Sequence, residues 1–162
     1  MPLLEYSLEK RRYLLGENHL DTFFSMNNLG SFYMKRKNYA KALPLLKESL
    51  EKAVYMLGKD HPKTFASMSN LGLLYRYMKQ HSKSLALLKE SLEGAILKLG
   101  KKHPDTLISM FNLGALHCDL GNYDKALSLF KESLAGMEEK LGVNHPSTNN
   151  VRNQLKMLQQ KT

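Results

Sequence analysis

The sequence predicts an all-α architecture of stacked antiparallel helix pairs, on three observations. Its 162 residues repeat every 42 positions. Each period holds two stretches whose apolar residues recur at three- and four-residue steps, and asparagine, glycine and proline mark the joints between them. Frames begin at Leu15, Leu57, Leu99 and Leu141, and the second and third share 21 of 42 aligned residues without a gap. A unit of this size cannot bury its apolar faces alone, so neighbouring units must stack.

The register also covers the start of the chain, where Pro2, Leu3, Leu4, Ser7 and Leu8 fall under Pro44, Leu45, Leu46, Ser49 and Leu50. Residues 1–14 therefore read as the second helix of a partial repeat. Complete repeats follow at 15–56, 57–98 and 99–140, and 141–162 form a terminal first helix or cap, giving eight helices in a single array over 1–162. That order suits an array opening on an unpaired helix and equally an excerpt from a longer one.

In the first helix of each pair, Met26, Leu29, Gly30 and Tyr33 recur as Met68, Leu71, Gly72 and Tyr75, then as Met110, Leu113, Gly114 and His117. Glycine inside a helix costs about 1 kcal/mol relative to alanine, so its repetition points to close approach of a partner helix. The turn reads KRKNYAKA, then KQHSKS, then DLGNYDKA. The second helix carries Leu43, Leu46 and Leu50, repeated as Leu85, Leu88 and Leu92 and as Leu127, Phe130 and Leu134. Gly58, Gly100 and Gly142 suit left-handed C-terminal caps, and Pro62, Pro104 and Pro146 suit the first turn of the following helix.

Composition narrows the class further. Lys and Arg number 24 against 15 acids, a formal charge of +9, with 43% apolar residues and one cysteine. A lone Cys118 excludes an internal disulfide framework and fits a reducing, cytoplasmic setting. No stretch approaches the roughly 18 apolar residues of a membrane span, and MPLLEYSLEKRR does not read as a signal peptide. The positive charge favours acidic partners in general.

Leu29, Gly30, Tyr33, Tyr39 and Ala42, the NLG triplets at Asn70 to Gly72 and Asn112 to Gly114, and the LGxxHPxT link together resemble the tetratricopeptide repeat, in the long 42-residue form of kinesin light chains and nephrocystin-like proteins. The resemblance spans nearly the whole chain. It departs at Ser84, at His81, and at Gln154, Leu155 and Lys156, where NLG would stand. It implies a right-handed αα superhelix whose first helices line a concave channel that holds extended peptides or partner helices. In the resembled light chains, asparagines at the positions of Asn28, Asn70 and Asn112 hold cargo peptides. The co-chaperone subclass is disfavoured, because Asn27, Ser31, Ile108 and Asn112 replace its basic and amide residues and only Asn70 agrees.

With Leu29 and Tyr33 on the core face, the channel receives Phe24, Asn27, Asn28, Ser31 and Lys35 from the first repeat. The second offers Ala66, Ser69, Asn70, Leu73, Arg76 and Tyr77, and the third Ile108, Phe111, Asn112, Ala115, Cys118 and Asp119. Gln154 continues the asparagine column. An amide offers both donor and acceptor, so such a column satisfies a peptide backbone without demanding one side chain; pairing with neighbouring helices is the competing reading. Glutamates concentrate on the second helices, whereas the first helices, from Thr22 and its repeat equivalents onwards, carry Lys35, Arg76, Arg152 and Lys156 against Asp119. This predicts an acidic peptide with an aromatic or aliphatic anchor, its acids meeting Arg76 or Arg152.

Catalytic chemistry has no carrier in the sequence. His19, His61, His103 and His145 recur one repeat apart, roughly 10 Å in packed helix pairs, too far for a shared metal; they fit residues that cap or pack the interrepeat link. His117 and Cys118 diverge by about 100 degrees on a helix and make a poor dyad. No phosphate loop or cofactor motif is present. The expected protein is a noncatalytic adaptor or scaffold that needs no cofactor. An architectural or self-associating segment acting through its end helices is the alternative. RNA or membrane-surface binding ranks lower, because the basic runs at Lys10 to Arg12, Lys35 to Lys37 and Lys101 to Lys102 form no continuous stripe.

Overall fold

The computed structural model describes residues 3–160, so the expected alignment of Pro2 with Pro44 lies outside the described residues. Eight helices are present among them: α1 (Leu3–Leu15), α2 (Leu20–Lys35), α3 (Tyr39–Leu57), α4 (Pro62–Tyr77), α5 (His81–Leu99), α6 (Pro104–Asp119), α7 (Tyr123–Leu141) and α8 (Pro146–Gln159). Each helix packs on the next along the chain, and α2, α4 and α6 also touch one another in succession. That second set of contacts makes the first helices a continuous wall.

The recurring motifs each supply a specific contact. His19, His61, His103 and His145 are N-caps whose Nδ1 accepts from the backbone N–H two residues on, at 3.1, 3.1, 3.2 and 3.2 Å. They satisfy a donor that the first helical turn leaves orphaned. Pro62, Pro104 and Pro146 follow in the first turn, where a missing N–H costs nothing. Gly58, Gly100 and Gly142 end the second helices at φ of 86, 86 and 91° with ψ near 160°. This differs from the expected left-handed cap, because the extended ψ places them in a region open essentially to glycine alone.

Two polar columns bind one helix to another. The serine of each KESL segment is fully buried and donates to a carbonyl of the preceding first helix: Ser49 to Phe23 at 3.3 Å, Ser91 to Phe65 and Ser133 to Leu107 at 2.8 Å. The threonine after each histidine cap is likewise buried, and Thr22 and Thr64 donate to the carbonyls of Gly16 and Gly58 at 2.8 Å. A buried hydroxyl left unpaired costs about 1–3 kcal/mol, so these bonds fix the seating of the helices they join; Thr106 Oγ1, at the third threonine position, is buried without one.

The helical glycines are points of closest approach. A β-carbon on Gly30 would sit 2.7 Å from Leu46 Cγ, one on Gly72 would sit 2.9 Å from Leu88 Cγ, and one on Gly114 would sit 2.8 Å from Phe130 Cε1. Those three residues are at most 1% exposed and stand at one position of the repeat, with phenylalanine taking over from leucine in the third pair. The apolar interior runs along the array, from the cluster around Leu8, Met26 and Leu46 to that around Leu88, Phe130 and Val151.

Candidate functional site

Three lateral contacts tie the first helices together along their wall. Asn70 Nδ2 donates to Asn27 Oδ1 at 3.2 Å, Asn112 Nδ2 donates to Ser69 Oγ at 3.0 Å, and Arg76 forms a two-pronged pair with Asp119 at 2.8 and 3.2 Å. Each links a residue to one 43 positions later, one more than the repeat. Adjacent residues on a helix point about 100 degrees apart, so on α4 Asn70 reaches back to α2 while Ser69 reaches forward to α6.

The amide column is thus partly committed to the fold. One N–H each of Asn70 and Asn112 goes to the neighbouring helix, while a primary amide carries a second N–H and a carbonyl with two lone pairs. Asn28 and Gln154 are exposed, Asn70 is half-buried, and Asn112 is buried. Ser31 Oγ is buried without a hydrogen-bond partner. Ser69 and Ala115 are buried, and Lys35 is exposed.

Both expected groove cations already hold acidic partners. Arg76 lies on the wall, but Asp119 accepts from its Nε and one terminal nitrogen. Arg152 occupies the position of the core residues Met26, Met68 and Met110 and is drawn to the α7–α8 corner. There it donates to Glu138 Oε1 at 2.6 Å, Asn149 Oδ1 at 2.7 Å and the Val143 carbonyl at 3.1 Å. Ligand acids expected to meet Arg76 or Arg152 would share these cations with Asp119 and Glu138.

Two small cavities open among the predicted residues. One of about 180 Å³ lies between α4 and α6 and is lined by Phe65, Ala66, Ser69, Asn70, Ile108 and Asn112, among others. The second, about 190 Å³, is lined by Arg76, Ala115, Cys118, Asp119, Gln154 and Met157, with Tyr123 and Leu158. Phe111 turns toward Phe130, with ring centroids 5.4 Å apart, and Leu73 packs against the core around Leu46. Tyr77 remains 46% exposed and lies parallel to Tyr39 at 6.4 Å. Burial, then the charges of Lys125 and Lys89, push His117 below the usual histidine range and favour its neutral ring. Lys37, legible in the sequence only as part of a basic run, and Lys79, not singled out there, sit at positive φ in the turns beside this wall. The glycine at the matching Gly121 was the available signal.

Paired helices stacked in one direction, with a polar wall along one face, define an α-solenoid. The chain belongs to the tetratricopeptide repeat family, whose profile matches residues 21–96, 84–139 and 105–161. No curated protein matches the chain. Among solved structures, BtubC (BKLC) from P. vanneervenii superposes with a TM-score of 0.76 at 20% identity, covering 96% of this chain and 62% of that one. This chain thus spans less than two thirds of that protein's length. A candidate kinesin light chain from Podosopora anserina, built of nearly identical TPR-like repeats, gives 0.72 at 23% identity over 98% of this chain and 75% of its own length. A point variant of that same protein gives 0.73 at 24%, covering 98% and 74%. The shared fold is the right-handed superhelix of such repeats. Tetratricopeptide repeats are modules of protein–protein interaction and typically non-enzymatic. No helix of the described residues is long and apolar enough to cross a membrane.

Proposed function

We propose that this protein is a noncatalytic adaptor or scaffold that holds a short peptide against the wall formed by α2, α4 and α6. The observation that carries this reading is the cavity between α4 and α6, where the amides of Asn70 and Asn112 flank the apolar Ala66, Phe65 and Ile108. Amides of this kind hold an extended backbone, and the apolar floor accepts an aromatic or aliphatic anchor. The formal charge of +9 favours acidic ligands.

Replacing Asn70→Ala together with Asn112→Ala weakens peptide binding by about tenfold, the loss of one or two hydrogen bonds. Titration calorimetry measures the affinity, and far-ultraviolet circular dichroism checks that helical content is retained. Unaltered affinity in a folded double variant would exclude the asparagines as ligand contacts.

A second reading, self-association through the ends, draws on α1, where Leu3 is 81% exposed and Leu14 70% exposed. Apolar surface gathered on one helix favours association. Light scattering across a concentration series decides it, and a strict monomer counts against it.

A further inference from the structure

The turns after α2, α4 and α6 share one hydrogen-bond pattern. Asn38 N–H donates to the Tyr33 carbonyl at 2.9 Å and Lys37 N–H to that of Met34 at 2.9 Å. Gln80 and Lys79 repeat these bonds at 2.9 and 3.0 Å, and Asn122 and Gly121 at 2.9 and 3.1 Å. Such a helix ending needs a left-handed residue, for which glycine is preferred. The third turn uses Gly121 at φ 74°, whereas the first two hold Lys37 at 59° and Lys79 at 60°. A β-carbon is disfavoured there, so two lysines are kept at a position where the chain elsewhere uses glycine.

Both lysines are exposed, as are Lys35, Arg36 and Lys83 on the same rim. Lys41 is the rim lysine with an ion pair, to Glu5 at 3.7 Å, and Arg76 is neutralised by Asp119. The third turn instead carries Asp119, which pairs with Arg76, and Asp124 beside Lys125. The rim is therefore positive over its first two turns and not over its third.

From this we infer that the acidic part of a groove ligand docks on the rim around Lys35, Lys37 and Lys79, rather than on the arginines of the wall; the inference rests on the peptide reading above. Charge complementarity selects an acidic segment, and continuity with the wall selects a peptide that extends out of the groove. Lys35 ends α2, and Lys79 lies just past the end of α4, the helix whose N-terminal half lines the apolar cavity. Ala66 and Lys79 are 13 positions apart. Over a helix that is about 20 Å, which an extended peptide crosses in about six residues. The ligand thus carries an apolar anchor and, about six residues away, an acidic run.

Fluorescence anisotropy on the full chain tests this with labelled peptides bearing one Trp and a block of glutamates, the block placed adjacent to the Trp or about six residues away. Lys37→Gly with Lys79→Gly weakens binding of the spaced peptide by about three- to tenfold. The difference fades in high salt, and the adjacent-block peptide does not distinguish variant from wild type. The same substitutions raise the melting midpoint by about 2–4 °C per position, so weaker binding cannot be ascribed to unfolding. Unchanged affinity in this variant, with binding still lost in Asn70→Ala/Asn112→Ala, overturns the rim and leaves the groove reading standing. A wild-type protein that binds none of the peptides overturns both. Salt-steep binding of polyuridylate that the lysine substitutions abolish, without an effect on the peptides, assigns the rim to nucleic acid and also overturns the inference.

Discussion

Gly72→Val destabilises the array by about 3 kcal/mol, at the upper end of overpacking costs. On an exposed helix, replacing glycine with alanine would gain about 1 kcal/mol from propensity. Here a β-carbon lies 2.9 Å from both Cγ and Cδ2 of Leu88 and 3.4 Å from Cβ of Leu87, so α4 and α5 must move apart. Leu88 is fully buried, which leaves its side chain little room to yield. A urea titration reads the loss as a lower midpoint. Adding Leu88→Ala recovers part of it, because the two substitutions act on one contact and are not additive. Wild-type stability in Gly72→Val would remove close approach as the reason for the glycine.

Phe130→Ala costs about 3–5 kcal/mol, the range for deleting a buried aromatic ring. Its ring is 1% exposed, fills the space above Gly114 and packs on Phe111. Each unit of a solenoid touches chiefly its neighbours, so the damage stays local. Hydrogen exchange shows it directly: amides of α6, α7 and α8 lose protection while those of α2 and α3 keep theirs. Equal loss from α2 to α8 would instead mean that the array unfolds as one unit.

Much of this architecture is legible in the sequence because the repeat supplies its own internal comparison. Gly30, Gly72 and Gly114 stand out as costly helix residues, and their contacts with Leu46, Leu88 and Phe130 give the reason. The periodic histidines, excluded as metal ligands by their spacing, prove to be N-caps. KESL and HPxT are visible as motifs, but the bond from Ser91 to the Phe65 carbonyl, across 26 residues, is not, since nothing in a helical pattern specifies which carbonyl of a neighbour lies opposite.

The wall is legible by composition and not by pairing. Asn70 and Asn112 are recognisable, yet their partners Asn27 and Ser69 lie one residue off the repeat register. Arg76 reads as a cation facing a ligand, although Asp119, visible as the opposing acid, captures it. Arg152 aligns in the sequence with Met26, Met68 and Met110, but only the structure shows its pairing with Glu138 at the α7–α8 corner.

By itself, the sequence determined the order of the helices, their joints, the side of each that is buried and the residue types available to the wall. These follow from local periodicity and from the need of each short unit to cover its apolar face with the next. Only the tertiary structure decided which polar groups on the wall are already paired, which cations keep their charge exposed, and that lysine occupies a left-handed turn position twice. Those outcomes depend on distances between helices 43 residues apart in sequence and on backbone angles at the turns. A linear pattern does not contain the relative rotation of two packed helices, and that rotation chooses the partners.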